Sequence, residues 1–167
     1  MSLPSFLRRH RYYLLASVAL AALAFQTAPL KYQTYHNARF GYSIPYPAAL
    51  VKPFPESRNG DGRRFVSADA ATTLTAYAHY NALDYTVAQQ LQMSRKSWQR
   101  RGATITLAQT LPGSYVLSGT YESAIFYEKG ALQNGTFSTF IWQYPAAQKQ
   151  RMDAVVTYTA RAFRPGQ

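Results

Sequence analysis

The chain has 167 residues, of which 47% are apolar, 15% aromatic and 15% charged, with nine Gly, nine Pro and no Cys. That apolar share excludes a disordered chain, and the length suits one ordinary domain rather than two. The missing Cys excludes disulfides, thiolate metal sites, a cysteine nucleophile and lipidation at an N-terminal Cys. Eighteen Lys and Arg against seven Asp and Glu give +11, and without Arg8, Arg9 and Arg11 the remainder is still +8. Such a surplus attracts acidic protein surfaces, anionic lipid or nucleic acid without choosing among them.

Residues 1–30 read as a targeting segment, because the cationic stretch Arg8, Arg9, His10 and Arg11 precedes an almost wholly apolar run from Leu14 to Phe25. Two fates stay open. Ala22-Leu23-Ala24 presents the small residues that a signal peptidase needs, so cleavage near Ala24 would release a soluble periplasmic or secreted protein. Alternatively, the uncharged run of 19 residues from Tyr12 to Leu30 is retained as a signal-anchor. At about 1.5 Å per residue it just crosses a hydrocarbon core of about 30 Å. Its anchor residues would be Tyr12 and Tyr13 at the interface, followed by Leu14, Leu15, Val18, Leu20, Leu23 and Phe25. The arginines would hold the N-terminus in the cytoplasm, giving a single-pass inner-membrane protein with residues 31–167 as its periplasmic domain. The anchored form is the primary expectation.

Phe40-Gly41-Tyr42-Ser43-Ile44-Pro45-Tyr46-Pro47 alternates large and small residues as a half-buried strand does, and its prolines confine it to an edge or a strand end. Val51–Ser57 is expected as extended, Pro-punctuated loop, and Asn59-Gly60-Asp61-Gly62 as a turn. Strands are expected at Phe65–Ala68 and Thr73–Tyr80. The period then changes: Thr86 with Gln89 predicts a capping box, and Val87, Leu91, Ser94 and Trp98 follow at helical spacing. Arg95, Lys96, Arg100 and Arg101 load the helix end, where its dipole favours cations, and Gly102 stops it. Further strands are predicted over Thr104–Gln109, Ser114–Thr120, Ser123–Glu128 and Thr136–Tyr144. They are separated by Leu111-Pro112-Gly113, by Glu122, and by Lys129-Gly130 to Asn134-Gly135. A last helix is expected from about Ala146, with Met152, Val155, Val156, Thr159 and Phe163 inward and Pro165-Gly166 ending it. Hairpin-length turns make the fold class α+β: a mainly antiparallel sheet flanked by two helices.

This order resembles the PsbP/Mog-type α/β/α sandwich family of exported accessory domains. The resemblance rests on Phe40–Pro47, on Asn59-Gly60-Asp61-Gly62 leading into Phe65, on the helix after Asn81-Ala82-Leu83-Asp84, and on the closing Val155–Phe163 helix. It covers roughly Tyr35–Arg164. It implies a non-catalytic accessory domain that binds a larger membrane assembly, with a photosynthetic or respiratory complex as host. The shortage of acids departs from the photosystem members and argues against a metal-retention role.

Candidate chemistry is sparse. His36 is expected to face solvent and His79 to lie on a strand among tyrosines, and two such His without Cys do not make a zinc site. Asn59–Gly62 lacks the alternating acids and closing Glu of a calcium loop. Glu122 and Glu128 are expected as surface carboxylates rather than a catalytic pair. No nucleophile elbow, phosphate loop or dinucleotide fingerprint is present, so no enzyme activity and no cofactor are expected. The candidate docking surface is Arg63, Arg64, Arg95, Lys96, Arg100 and Arg101, toward a protein complex and not nucleic acid, since an exported domain rarely meets it. Membrane lipid is expected to meet the N-terminal helix, and a lipid surface stays open beside an acidic partner for the basic face. Screening for hydrolysis sensitive to His79 or Glu122 substitution would revive an enzyme reading, and a soluble small-ligand-binding protein is the alternative function.

Overall fold

The computed structural model describes residues 30–166. The expected anchor residues Tyr12 to Phe25 and the cleavage position at Ala24 lie outside them. Among the described residues no helix is long and apolar enough to cross a membrane.

A hairpin of β1 (Tyr32–His36) and β2 (Ser43–Pro47) comes first, followed by β3 (Lys52–Glu56), β4 (Gly62–Val66) and β5 (Thr73–Tyr80). Helix α1 (Val87–Arg100) leads into β6 (Thr104–Leu111), β7 (Ser114–Tyr121), β8 (Ala124–Gln133) and β9 (Thr136–Pro145). One 3-10 turn, Ala146–Gln148, opens α2 (Lys149–Ala162). Strands β3 to β9 form one seven-stranded sheet in the order β3-β4-β5-β9-β8-β7-β6, and every pairing is antiparallel. The α+β expectation holds.

The two helices form for the reasons their sequences suggest. Thr86 Oγ1 accepts from the Gln89 amide and the Gln89 side chain accepts from the Thr86 amide, which satisfies two otherwise orphaned donors. At the other end the chain turns through Gly102 at φ +90°, a conformation that penalises any side chain. Leu91 and Trp98 are the buried positions of α1, packed on Tyr115, Leu117 and Phe126 of the sheet. Helix α2 buries Met152, Val155, Val156 and Thr159, as its spacing predicts, and lies on the opposite face with the β1–β2 hairpin. There Phe140 meets Phe163 edge-on, while Phe65 packs against Tyr35 and Tyr46.

Several boundaries differ from expectation. Lys52–Glu56 is a strand rather than a loop, although Pro53 and Pro55 are in it. Proline is tolerated because β3 is the sheet's outer strand, and the register breaks between Pro53 and Glu56. Strand β4 starts at Gly62 and ends at Val66, earlier than the Phe65–Ala68 reading. Strand β8 runs through Lys129-Gly130 to Gln133, so only Asn134-Gly135 is the turn. Strand β1 had no sequence expectation, for only Tyr35 of its five residues is buried and it lacks an apolar alternation.

Candidate functional site

The cations expected to form a docking surface lie in two places. Lys96 and Arg100 are exposed on α1, and Arg95 beside them is half-buried. Arg101 caps α1 and lays its guanidinium 3.7 Å from the Trp98 ring centroid, while Trp98 stacks on Phe126 at 3.8 Å and 8°. Arg101 therefore lids an aromatic pair as well as carrying charge.

On β4 the two-residue alternation sends neighbouring arginines to opposite faces. Arg64 is exposed and opposes Thr75, in the same cross-strand row as Ile141 and Glu128, which is the α1 side. Arg63 is half-buried on the other face, 5.0 Å from the Tyr35 ring, with its Nε buried and unpartnered. The structure thus brings Arg64 onto the same sheet face as the α1 cations and turns Arg63 away.

Five of the seven acids are engaged elsewhere, and Asp84 and Glu122 are exposed. Asp61 accepts from Ser57 and Asn59 inside the β3–β4 turn, which holds its carboxyl below the usual range. Asp69 is held low in the same way by Ser67 and the Ala71 amide. Glu56 accepts from the Tyr35 hydroxyl and from Asn37, a residue buried to 2% exposure that also donates to Gly60 O at 2.9 Å. Lys149–Asp153 at 2.7 Å is the only ion pair among the described residues.

Glu128 corrects the sequence expectation most sharply. It is not a surface carboxylate: it is 2% exposed, at the centre of the sheet under α1. Its Oε1 accepts from Ser94 Oγ at 2.6 Å and Tyr115 OH at 2.7 Å, and its Oε2 accepts from Trp98 Nε1 at 2.8 Å. Burial first, then the Glu128 charge, pushes the Tyr115 hydroxyl well above the ordinary phenol range, and Tyr77 is raised for the same reasons. Gly130 makes room for this arrangement, since a Cβ there would lie 2.2 Å from the Tyr115 ring. The sequence does carry a signal for it. Ser94 interrupts the apolar stripe between Leu91 and Trp98, and an inward serine needs a partner. Glu128 is in phase with buried Phe126 on the same strand. Glu122, by contrast, is exposed in the β7–β8 turn at φ +54°, so the two glutamates form no pair.

His36 is exposed, and His79 lies on β5 stacked between Tyr77 and Phe137, with burial lowering its pKa. Among the described residues no three His, Asp or Glu side chains converge as a metal site. A cleft of about 420 Å³ opens between α2 and the sheet, lined by Thr106, Thr120, Tyr127, Tyr144 and Thr157 among others. Burial raises both tyrosine hydroxyls, so they stay neutral donors.

No protein-family model and no curated protein sequence matches the chain. Among solved structures it is similar to the cyanobacterial PsbP, CyanoP, of Synechocystis, with a TM-score of 0.62 over 84% of this chain and 95% of that one. The fold is PsbP-like. Sequence identity in that comparison is only 13%, so the likeness concerns architecture. A Pseudomonas aeruginosa protein of unknown function, described as a candidate regulator, shares the PsbP-like fold at a TM-score of 0.53 and 8% identity, over 84% of this chain and 99% of that one. The PsbP-like sheet thus supports proteins of different descriptions, and a role has to be argued from this chain's own surface.

Proposed function

We propose that this is a non-catalytic accessory domain, held at the periplasmic side of the inner membrane by its N-terminal segment and docking on a larger membrane complex. The observation that carries the reading is the disposition of charge. Asp61, Asp69, Asp153 and Glu128 are absorbed by turns, by a helix pair and by the core, while Arg64, Lys96 and Arg100 project from the α1 side. Unpaired guanidinium and ammonium groups on one face steer and orient an acidic partner at a cost in desolvation smaller than that of buried charges. The PsbP-like architecture supports an accessory role by analogy, and a photosynthetic or respiratory host is the class of assembly it suggests. Lipid contact belongs to the N-terminal segment in this reading.

Affinity purification of the full chain from gently solubilised membranes tests it. A stoichiometric partner is expected, and joint reversal of Arg64, Lys96 and Arg100 to Glu should release it while leaving the fold intact. Recovery of a solitary chain, or undiminished capture by the reversed variant, would refute the reading. A second reading, a soluble small-ligand-binding protein freed by cleavage near Ala24, is favoured by the cleft under α2 with its neutral tyrosines. The intact mass of native material separates the two.

A further inference from the structure

The two outer strands of the large sheet are built differently. Strand β3 carries Pro53 and Pro55, a break in register, and the charges Lys52 and Glu56. Each of these blocks a neighbouring strand from pairing. Strand β6 has none of the prolines or charges: it reads Thr-Ile-Thr-Leu-Ala-Gln-Thr-Leu, and seven of its eight residues are exposed. Its single irregularity falls between Ile105 and Leu107, which leaves Leu107–Leu111 as a regular edge, unpaired among the described residues. Leu107 and Leu111 are 43% and 40% exposed on one face of that edge, two residues to either side of Gln109.

We propose that β6 pairs antiparallel with β6 of a second copy of this chain, about a twofold axis at Gln109. That register sets Leu107 opposite the partner's Leu111 and Gln109 opposite its own copy. All three lie on one face of the strand, because they oppose Ser118, Val116 and Ser114 of β7. The leucines cover each other, the two Gln109 amides exchange hydrogen bonds, and Ala108 and Thr110 meet on the reverse face with no bulk to clash.

Charge selects the same partner. From Gly102 to Tyr121 the sequence holds no Lys, Arg, Asp or Glu, in a domain whose net charge outside the first 30 residues is +8. Two such domains repel through their cationic surfaces, and this hairpin contributes no like charge of its own to a contact. Arg100 and Arg101 stand where α1 ends and leads into the Thr104 end of β6, away from the proposed axis. The contact is small, at the low end of specific interfaces, so the dimer is expected to be reversible. The inference goes beyond the docking reading and is tested separately from it.

The chain contains no cysteine, which makes the test clean. Gln109→Cys in the full-length chain, purified in mild detergent, places two thiols across the axis at a spacing that suits a disulfide. Pairing raises their local concentration to about millimolar, so oxidation should cross-link this variant about tenfold or more faster than Phe54→Cys on the β3 edge. Adding Leu107→Lys to Gln109→Cys should abolish the advantage, with circular dichroism confirming that each variant is folded. Cross-linking at 109 no faster than at 54, or unaffected by Leu107→Lys, would overturn the proposal.

Discussion

Replacing Glu128 with Ala removes the acceptor for Ser94, Tyr115 and Trp98 in one step. Tyr115 and Trp98 are buried to 0% and 1% exposure, so their O–H and N–H are left without partners. Ser94 is half-buried and can turn to water. A stranded buried donor costs about 1–3 kcal/mol, and two of them with the accompanying cavity cost about 3–5 kcal/mol. Against a total stability of about 5–15 kcal/mol this is a large fraction. For a domain of this size it lowers Tm by about 10–20 °C. Thermal unfolding followed by far-ultraviolet circular dichroism measures it, and Trp98 fluorescence reports the loosening of α1 from the sheet. Tyr115→Phe removes only one donor and should cost about 1–2 kcal/mol. A Glu128→Ala protein melting within about 2 °C of the parent would mean that the carboxylate does not hold α1 in place, and the reasoning fails.

Gly130→Ala should destabilise the fold by about 2 kcal/mol or more, since its methyl group would drive the Tyr115 ring off Glu128; an unchanged denaturation midpoint would contradict this. Burial holds the His79 imidazole below the ordinary histidine pKa of about 6.5, so the unfolded chain takes the proton more readily. Stability from this group is therefore fully present above about pH 6.5 and is lost as pH falls toward the folded pKa. Denaturant titrations across that window should show the decline in the parent and a flatter profile in His79→Gln; identical slopes would refute it.

What could be read from the sequence follows the physics of each signal. The α1 cap was legible because Thr86 and Gln89 stand at a spacing with a single local use, and the α2 stripe because Met152, Val155, Val156 and Thr159 recur at the helical period. Strand β3 was not legible, because proline reads as loop until a sheet places it on an outer edge. Strand β1 was hidden by its polar composition: its position is fixed by Tyr35, Asn37 and Glu56 meeting across 21 and 19 residues of chain. Glu128 misled for a related reason. An acid on a ten-residue strand with buried positions on both faces gives no hint of depth, and only Ser94, Trp98 and Tyr115 brought together in space supply its partners. For the basic residues, sequence showed their number but not that alternation on β4 divides Arg63 from Arg64.

The prolines of β3 also limit how far any sheet-to-sheet association can proceed. A β-sheet with two receptive margins can add molecules at both and lengthen into a fibre; one with a single receptive margin cannot. Because Pro53 and Pro55 occupy the far side of the seven-stranded sheet, joining two molecules through β6 uses up that sheet's one receptive margin among the described residues. The aromatic- and threonine-rich strands of this protein would otherwise be a polymerisation hazard, and two proline rings at one border keep the large sheet from extending past a pair.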